Sequence, residues 1–546
     1  MTPSPLASAP AARFTACVRS IAAACALTTL AAATIASAQG SRSVQIKTAE
    51  GIIAGSVAPH GDRTVHTFLG IPFAQPPVGQ LRWKPPQPMK PWTGVRPATA
   101  FGPRAMQGRI FDDMVFRDAG PSEDCLYLNV WTPDIDSRAR LPVMVWIHGG
   151  GHVAGGSSEP RQDGTRLSTH GVVVVSMNYR MGVFGFLVHP ELSRESATGA
   201  SGNYGLMDMI AALAWVRRNI AAFGGDPDKV TIFGESAGSA SVNALMAAPP
   251  ARGLFHRAIG ESGTIFARSG RPLPTRAEAE EYGRAFTSAA YGTTALADLR
   301  NIDAATLLAP TLTEPRPRFG LVVDGEILPA DARSIFGTGR QAHVPLLAGW
   351  NRDEDGHRAY FSTDEPTLDN FVARAHRRFG PQADAFLRLY PAADDAEALR
   401  RARDLATDDR VGYWTWKWLE LHRATSASPV YRYAFDHTLP LAPDAAPGTE
   451  PFAPHAGEIE YVFQMLDTKA LPWREEDRTV SDRMAAYWVN FARTGNPNGP
   501  GLPEWPAHDP EHEFAVMRFE AGRAAAEPDR RRARYTWLDQ LTLGTP

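Results

Sequence analysis

Gly234-Glu235-Ser236-Ala237-Gly238 sets a serine among small residues, directly after the β-branched run Lys229-Val230-Thr231-Ile232-Phe233 and before the helix-compatible stretch Ser239 to Met246. Strand, tight turn and helix in that order form the setting of a nucleophile elbow, where a hydroxyl stands exposed on a turn too tight for large neighbours. An ordinary Gly-rich strand-to-helix turn can carry the same five residues, and it is the context that favours the nucleophile. His148-Gly149-Gly150-Gly151 follows the apolar run Val143 to Ile147. Glycines there let backbone N–H groups converge on one oxygen, with the N–H of Ala237 as a further donor, which stabilises the charge of a tetrahedral intermediate. A phosphate-cradling loop is disfavoured, because no Gly-Lys-Ser/Thr element or dinucleotide fingerprint follows.

A serine hydroxyl is a poor nucleophile at neutral pH, so a base and an orienting carboxylate are required, in the chain order serine, acid, histidine. Among the histidines that follow Ser236, His455 stands out. It lies in a Pro- and Gly-rich loop, Pro451 to Gly457, after the strand-like Val430 to Phe435, and loops at strand ends are where catalytic groups are usually presented. Glu354 follows the strand-like Val344 to Gly349 in the same way, but Asp353 and Asp355 flank it, and physical chemistry alone leaves the three open. The two aspartates are expected as solvated turn carboxylates.

The elements that must position these groups are legible as short apolar runs at Val143 to Ile147, Val172 to Ser176 and Val230 to Phe233, bounded by Gly, Asn, Asp or Pro. Continuous runs of this kind suit strands covered on both faces. Between the second and third, Met209, Leu213, Val216 and Ile220 recur at helical spacing, and Gly224-Gly225-Asp226-Pro227 stops the helix. A right-handed parallel crossover follows. The prolines from Pro72 to Pro91 predict an irregular surface wrap, and residues 275–423 predict a mainly helical region inserted over the sheet.

Across 546 residues the formal net charge is −3, with no basic concentration of the kind a nucleic-acid partner needs. The cluster Arg530, Arg531, Arg532 and Arg534 is expected as solvated surface. Near the N-terminus, Arg13 and Arg19 precede an apolar run from Ile21 to Ile35 and then Ala36-Ser37-Ala38. This predicts a signal peptide over residues 1–38, and a single exported domain over 39–546 that is periplasmic or extracellular. The run falls short of the roughly 20 apolar residues that a membrane span needs, and no later stretch reaches that length. A lipoprotein reading on Cys25 is the lesser alternative, since Ala22-Ala23-Ala24 lacks the usual leucine. Removal of Cys17 and Cys25 with the leader leaves Cys125, expected as a buried inert thiol.

Several longer segments resemble the signatures of the type-B carboxylesterase family, which includes cholinesterases and bacterial esterases. They are Glu123-Asp124-Cys125-Leu126-Tyr127-Leu128-Asn129-Val130, Asn178-Tyr179-Arg180-Met181-Gly182-Val183-Phe184-Gly185-Phe186-Leu187, the elbow itself, Phe223-Gly224-Gly225-Asp226-Pro227, and Tyr487-Trp488-Val489-Asn490-Phe491-Ala492-Arg493-Thr494-Gly495. The resemblance implies an α/β-hydrolase fold: a large, mostly parallel sheet with helices on both faces and a helical insertion above the active site. It implies Ser236, Glu354 and His455 as the catalytic triad, with Gly150, Gly151 and Ala237 as oxyanion donors and Glu235 and Ser262 close behind. Glu354 fits a family segment ending Asp-Glu-Gly, which Asp355 interrupts here, and His455-Ala456-Gly457-Glu458-Ile459 fits a His-Gly-Ala-Glu-Ile-like segment with its small residues exchanged. The family commonly pairs a cysteine near Phe101-Gly102-Pro103 with the equivalent of Cys125, whereas Arg104-Ala105-Met106 has none.

The activity implied is hydrolysis of a small-molecule carboxylic ester through an acyl-enzyme, without cofactor or metal. A metal held by His455 and Glu458 is disfavoured, since no third ligand stands at metal-site spacing. Cholinesterase-like adhesion proteins that have lost the serine form a competing class, and an acyltransferase or amidase could use the same triad. Aryl, alkyl, lipid, feruloyl-type and mycotoxin esters all remain open as substrates, as does the oligomeric state.

Overall fold

The computed structural model describes residues 42–266, 272–446 and 448–543, so the predicted leader, with Cys17 and Cys25, lies outside the described residues. The apolar runs read from the sequence become the middle of one large sheet. Its strands are β1 (Arg42–Lys47), β2 (Ile52–His60), β3 (Arg63–Pro72), β4 (Tyr127–Thr132), β5 (Leu141–Ile147), β6 (Val173–Met177), β7 (Gly225–Glu235), β8 (Arg257–Glu261), β9 (Leu346–Asn351), β10 (Val430–Phe435), β11 (Val516–Glu520) and β12 (Arg523–Glu527). They lie in the order β1-β2-β3-β4-β6-β5-β7-β8-β9-β10-β11-β12, with the short strand Val95–Pro97 beside β2. Neighbours from β6 to β11 run parallel. The flanks, β2-β3-β4-β6 on one side and β11-β12 on the other, are antiparallel.

Each central strand feeds two cores because side chains alternate across a strand. Along β5, Val143, Val145 and Ile147 enter one layer, while Met144 and Trp146 enter the other. The first layer also takes Leu213 and Trp215 of helix α1 (Tyr204–Asn219) and Val242 and Leu245 of helix α2 (Ala237–Ala247). The second takes Met484 and Trp488 of a long helix, Glu475–Thr494. Helices thus cover both faces, as a parallel sheet requires. The crossover from β6 through α1 does not land beside β6, because β5 lies between β6 and β7 and pairs with both.

The expected helical region contains helices α3 (Arg276–Tyr291), α4 (Asp395–Thr407) and α5 (Tyr413–Thr425), but β9 runs through its middle as a core strand. The helices therefore fall into a block before β9 and a block after it. Between α4 and α5 the chain widens into a π-helical turn, Asp408–Gly412.

Much of the signature sequence around Asn178 holds the architecture. The Arg180 guanidinium binds the Asp208 carboxylate of α1 in two bonds of 2.7 and 2.8 Å, and the Arg180 N–H donates to the same group at 3.0 Å. Both residues are buried. Removing one partner of such a pair strands the other charge, typically costing about 3–5 kcal/mol. Cys125 is buried and free, its thiol pushed well above its ordinary pKa by burial and by Asp208.

The arginine cluster is not a solvated patch. Arg532 pairs with Glu420 at 2.8 Å, Arg534 with Asp404 at 3.1 Å and Arg531 with Asp404 at 3.4 Å, and only Arg530 keeps an exposed side chain. These ion pairs fasten the C-terminal helix Arg532–Leu543 to α4 and α5, a long-range arrangement that local charge density does not reveal.

Candidate active site

β7 ends at Glu235 and α2 begins at Ala237, so Ser236 carries the whole reversal between them. Its backbone sits at φ 55°, ψ −117°, a region that costs a non-glycine residue about 1–3 kcal/mol. The surroundings fix it there: the Ser236 N–H donates to Glu261 O at 2.8 Å, and its carbonyl accepts from the Ala240 N–H at 2.9 Å. Gly238 permits the turn, since a Cβ at that position would lie 2.0 Å from Ile147 O.

The Ser236 hydroxyl lies 2.9 Å from His455 Nε2, and His455 Nδ1 lies 2.5 Å from Glu354 Oε2. Three segments far apart in sequence therefore meet in one relay. Beyond β9, the Asn351 N–H and the Ser262 hydroxyl donate to Glu354 Oε1 at 2.7 and 2.6 Å, and the Glu354 N–H donates to Thr407 Oγ1 at 3.0 Å. The histidine loop is tied to the acid loop in turn. Asn351 Nδ2 donates to Pro454 O at 2.7 Å, and the Ala453 N–H donates to Asp353 Oδ2 at 2.8 Å. Asp353 is thus a clamp between loops rather than a solvated carboxylate. Asp355 is closer to that expectation, accepting the Gly356 N–H at 2.8 Å and facing Arg410 at 3.6 Å.

The Glu354 side chain is 0 % exposed, whereas that of His455 is 23 % exposed. The imidazole tip reaches open space while its acid is sealed from water. Burial opposes a charge on His455, but Glu235 and Glu354 outweigh it and raise the imidazolium pKa to about 9. Glu235 Oε1 stands 3.3 Å from His455 Nε2, and burial raises its own pKa to about 7. Ser262, expected close behind the histidine, bonds the Glu354 that His455 Nδ1 faces, and Glu458 Oε1 lies 3.4 Å from its hydroxyl. Glu458 accepts from Asn351 Nδ2 at 2.5 Å, and burial followed by Glu235 and Glu354 raises its pKa to about 8.

The glycine loop closes the other side. Gly150 has φ 98°, and a Cβ there would lie 2.1 Å from Ala154 O, so the loop passes only with glycine. Tyr179 supports it, its hydroxyl donating to His148 O at 2.8 Å while its ring stacks on His148 at 4.4 Å. Ala237 is the first residue of α2, a position whose N–H has no acceptor within its own helix. Gly151, Ser236, Ala237 and His455 line one cavity of about 600 Å³ with largely apolar walls, among them Phe186, Phe319 and Trp414. The supporting Asn351 and Thr407, and the lining Arg410, were not singled out by sequence. Asn351 ends a recognisable strand, whereas Thr407 and Arg410 carry no local signal.

Comparison with known proteins matches residues 41–535 to the carboxylesterase family. The chain is 38 % identical over 481 residues to a fumonisin B1 esterase of Sphingopyxis macrogoltabida, covering 84 % of each chain. It is 37 % identical over 488 residues to the para-nitrobenzyl esterase of Bacillus subtilis, covering 85 % of this chain and 94 % of that one. A solved PNB esterase structure superimposes with a TM-score of 0.72 at 34 % identity, over 90 % of this chain and 99 % of the other. The chain belongs to the carboxylesterase family, a carboxylic-ester hydrolase on the α/β-hydrolase fold.

Proposed function

We propose that this carboxylesterase cleaves small-molecule esters through an acyl-enzyme on Ser236, with His455 as general base and acid and Glu354 as the orienting carboxylate. The observation that carries the reading is the continuous Ser236, His455, Glu354 relay of 2.9 and 2.5 Å at the wall of a cavity large enough for an ester. His455 Nε2 takes the hydroxyl proton as Ser236 Oγ attacks the carbonyl carbon, and then delivers it to the departing alcohol oxygen. Glu354 Oε2 holds the Nδ1 proton and stabilises the imidazolium formed between those steps. The N–H groups of Gly150, Gly151 and Ala237 stabilise the oxyanion, with one lost donor costing about 10²- to 10³-fold in kcat. Water then repeats the sequence on the acyl-enzyme. A rapid-mixing experiment with an activated ester tests this: a burst of alcohol stoichiometric with enzyme is expected, followed by slower turnover. Steady release from the first turnover with even the most activated ester, and no acyl group on the acid-quenched enzyme, would contradict it.

The neighbouring carboxylates make a further prediction about pH. His455 must be neutral to act as base, so kcat/KM of the free enzyme rises as the imidazolium loses its proton. Ionised Glu235 favours the imidazolium and Arg410 opposes it. Glu235→Gln removes the first of these, so the midpoint of the acid limb is expected to move to lower pH. Because the groups interact, that midpoint belongs to the cluster rather than to His455 alone. A midpoint that stays put or moves upward in a kcat/KM profile would rule out Glu235 as a source of the raised pKa.

A further inference from the structure

The cavity that holds Ser236 is mainly apolar, yet two arginines line it, Arg410 and Arg318. Arg410 arrives on the π-helical turn between α4 and α5, together with Val411, and Trp414 of α5 lines the same wall. Turns of this kind are rare and concentrate at functional sites. Nearby arginines are tightly committed: Arg378 meets Asp409 at 2.5 Å, and Arg534 meets Asp404 at 3.1 Å. Arg410 differs. Its one ion-pair partner among the described residues is Asp355 at 3.6 Å, longer than the roughly 2.7–2.9 Å of a charge-assisted hydrogen bond. A guanidinium presents five N–H donors in a planar fork that matches a carboxylate, and Arg410 lines the cavity with its side chain 44 % exposed.

Asp355 is the residue that interrupts the family's Asp-Glu-Gly pattern. Next to Glu354 in sequence and facing Arg410, it anchors the cation beside the triad without saturating it. Arg318 has an exposed side chain with no ion pair among the described residues, and its N–H donates to the Tyr282 hydroxyl of α3 at 2.9 Å. Opposing them is Glu278, the one Asp or Glu among the described lining residues. Its Oε2 serves as a helix cap, accepting from the Thr275 N–H and hydroxyl at 2.8 and 2.7 Å. The wall thus carries two guanidinium groups whose ion pairing is long or absent among the described residues, beside one carboxylate already engaged in its own helix.

We infer that Arg410, with Arg318 as a second cation, makes this cavity selective for esters that carry a free carboxylate, on either the acyl or the alcohol portion. The inference deepens the reading of Ser236 as nucleophile and rests on it. A substrate carboxylate takes the fork of Arg410, and the ester carbonyl is thereby held against Ser236. The Arg410 side chain is 44 % exposed, so the pairing is open to screening by salt.

The test compares kcat/KM for matched esters with and without the charge. One arm pairs para-nitrophenyl hemiglutarate with para-nitrophenyl valerate, and the other pairs meta-carboxyphenyl butyrate with phenyl butyrate. The charged-to-neutral ratio cancels any effect of Arg410 on the basicity of His455. In at least one arm that ratio is expected to fall about tenfold in Arg410→Gln, as a lost charge-assisted bond implies, and the arm that responds identifies which half of the ester bears the carboxylate. Rising ionic strength should lower the same ratio in the wild-type enzyme, a readout that needs no variant. Ratios unmoved by the substitution in both arms, or an equal loss on charged and neutral esters, would overturn the inference. Wild-type protein inert to every ester would overturn the hydrolase reading and this inference with it, whereas brisk turnover of valerate with an unmoved ratio overturns this inference alone.

Discussion

Ser236→Ala is expected to lower kcat on the order of 10⁶-fold while the protein stays folded. In the proposed mechanism the hydroxyl forms the covalent bond, and the other group described beside His455 Nε2, the Glu235 carboxylate at 3.3 Å, has no hydroxyl for the imidazole to deprotonate. Alanine keeps the Cβ that the strained turn already accommodates, so the backbone loses nothing it depends on. The Ser236 N–H to Glu261 O bond and the bond from the Ala240 N–H are main-chain bonds that survive the change. Turnover of a para-nitrophenyl ester and denaturant unfolding, measured on the same preparation, separate loss of chemistry from loss of fold. A folded variant with wild-type kcat would remove Ser236 from the mechanism.

Glu354→Gln carries the second largest expected loss, about 10⁴-fold in kcat, with the fold preserved. The Oε1 position still accepts from the Asn351 N–H and Ser262. On the other side, an amide N–H replaces the oxygen that lies 2.5 Å from His455 Nδ1. Two donors then confront each other unless the imidazole adopts the wrong tautomer, and the imidazolium loses its counter-charge. Asp355→Asn should cost far less with neutral esters, because Asp355 faces Arg410 rather than His455. Asp353→Asn should fall between the two, since its carboxylate accepts the Ala453 N–H within the histidine loop. Measuring kcat across pH keeps a shifted base from hiding part of the effect. A crippled Asp355→Asn beside a near-normal Glu354→Gln would move the acid by one residue.

How far the sequence could be read depended on the range of the interactions. Ser236 and the glycine loop were legible because strand, turn and helix signals sit within a dozen positions of the chemistry. The strands β5, β6, β7, β9 and β10 were legible as runs of β-branched and apolar residues buried on both faces. Strands β2 and β3 were not, because their partly exposed residues alternate irregularly and the stretch Ile52–His60 includes a proline. The acid was ambiguous because three consecutive carboxylates share one turn, and only folding decides which faces Nδ1. Asp353 and the arginine cluster were misread as solvated for the same reason: their partners, Ala453 and Glu420 among them, lie far away along the chain. Arg410 was invisible, since a π-helical turn leaves no periodic mark in so short a segment.

The proposed chemistry turns on one covalent bond formed at Ser236 Oγ, and mapping the trapped acyl group reads that bond. An activated ester is mixed with enzyme, quenched in acid during turnover, digested and analysed by peptide mass. A single acyl adduct is expected on the peptide containing Ser236, appearing and disappearing at rates consistent with kcat and absent from Ser236→Ala. An adduct on any other residue that forms at a competent rate, or rapid hydrolysis of the most activated esters by an enzyme that carries no acyl group at any quench time, would contradict it.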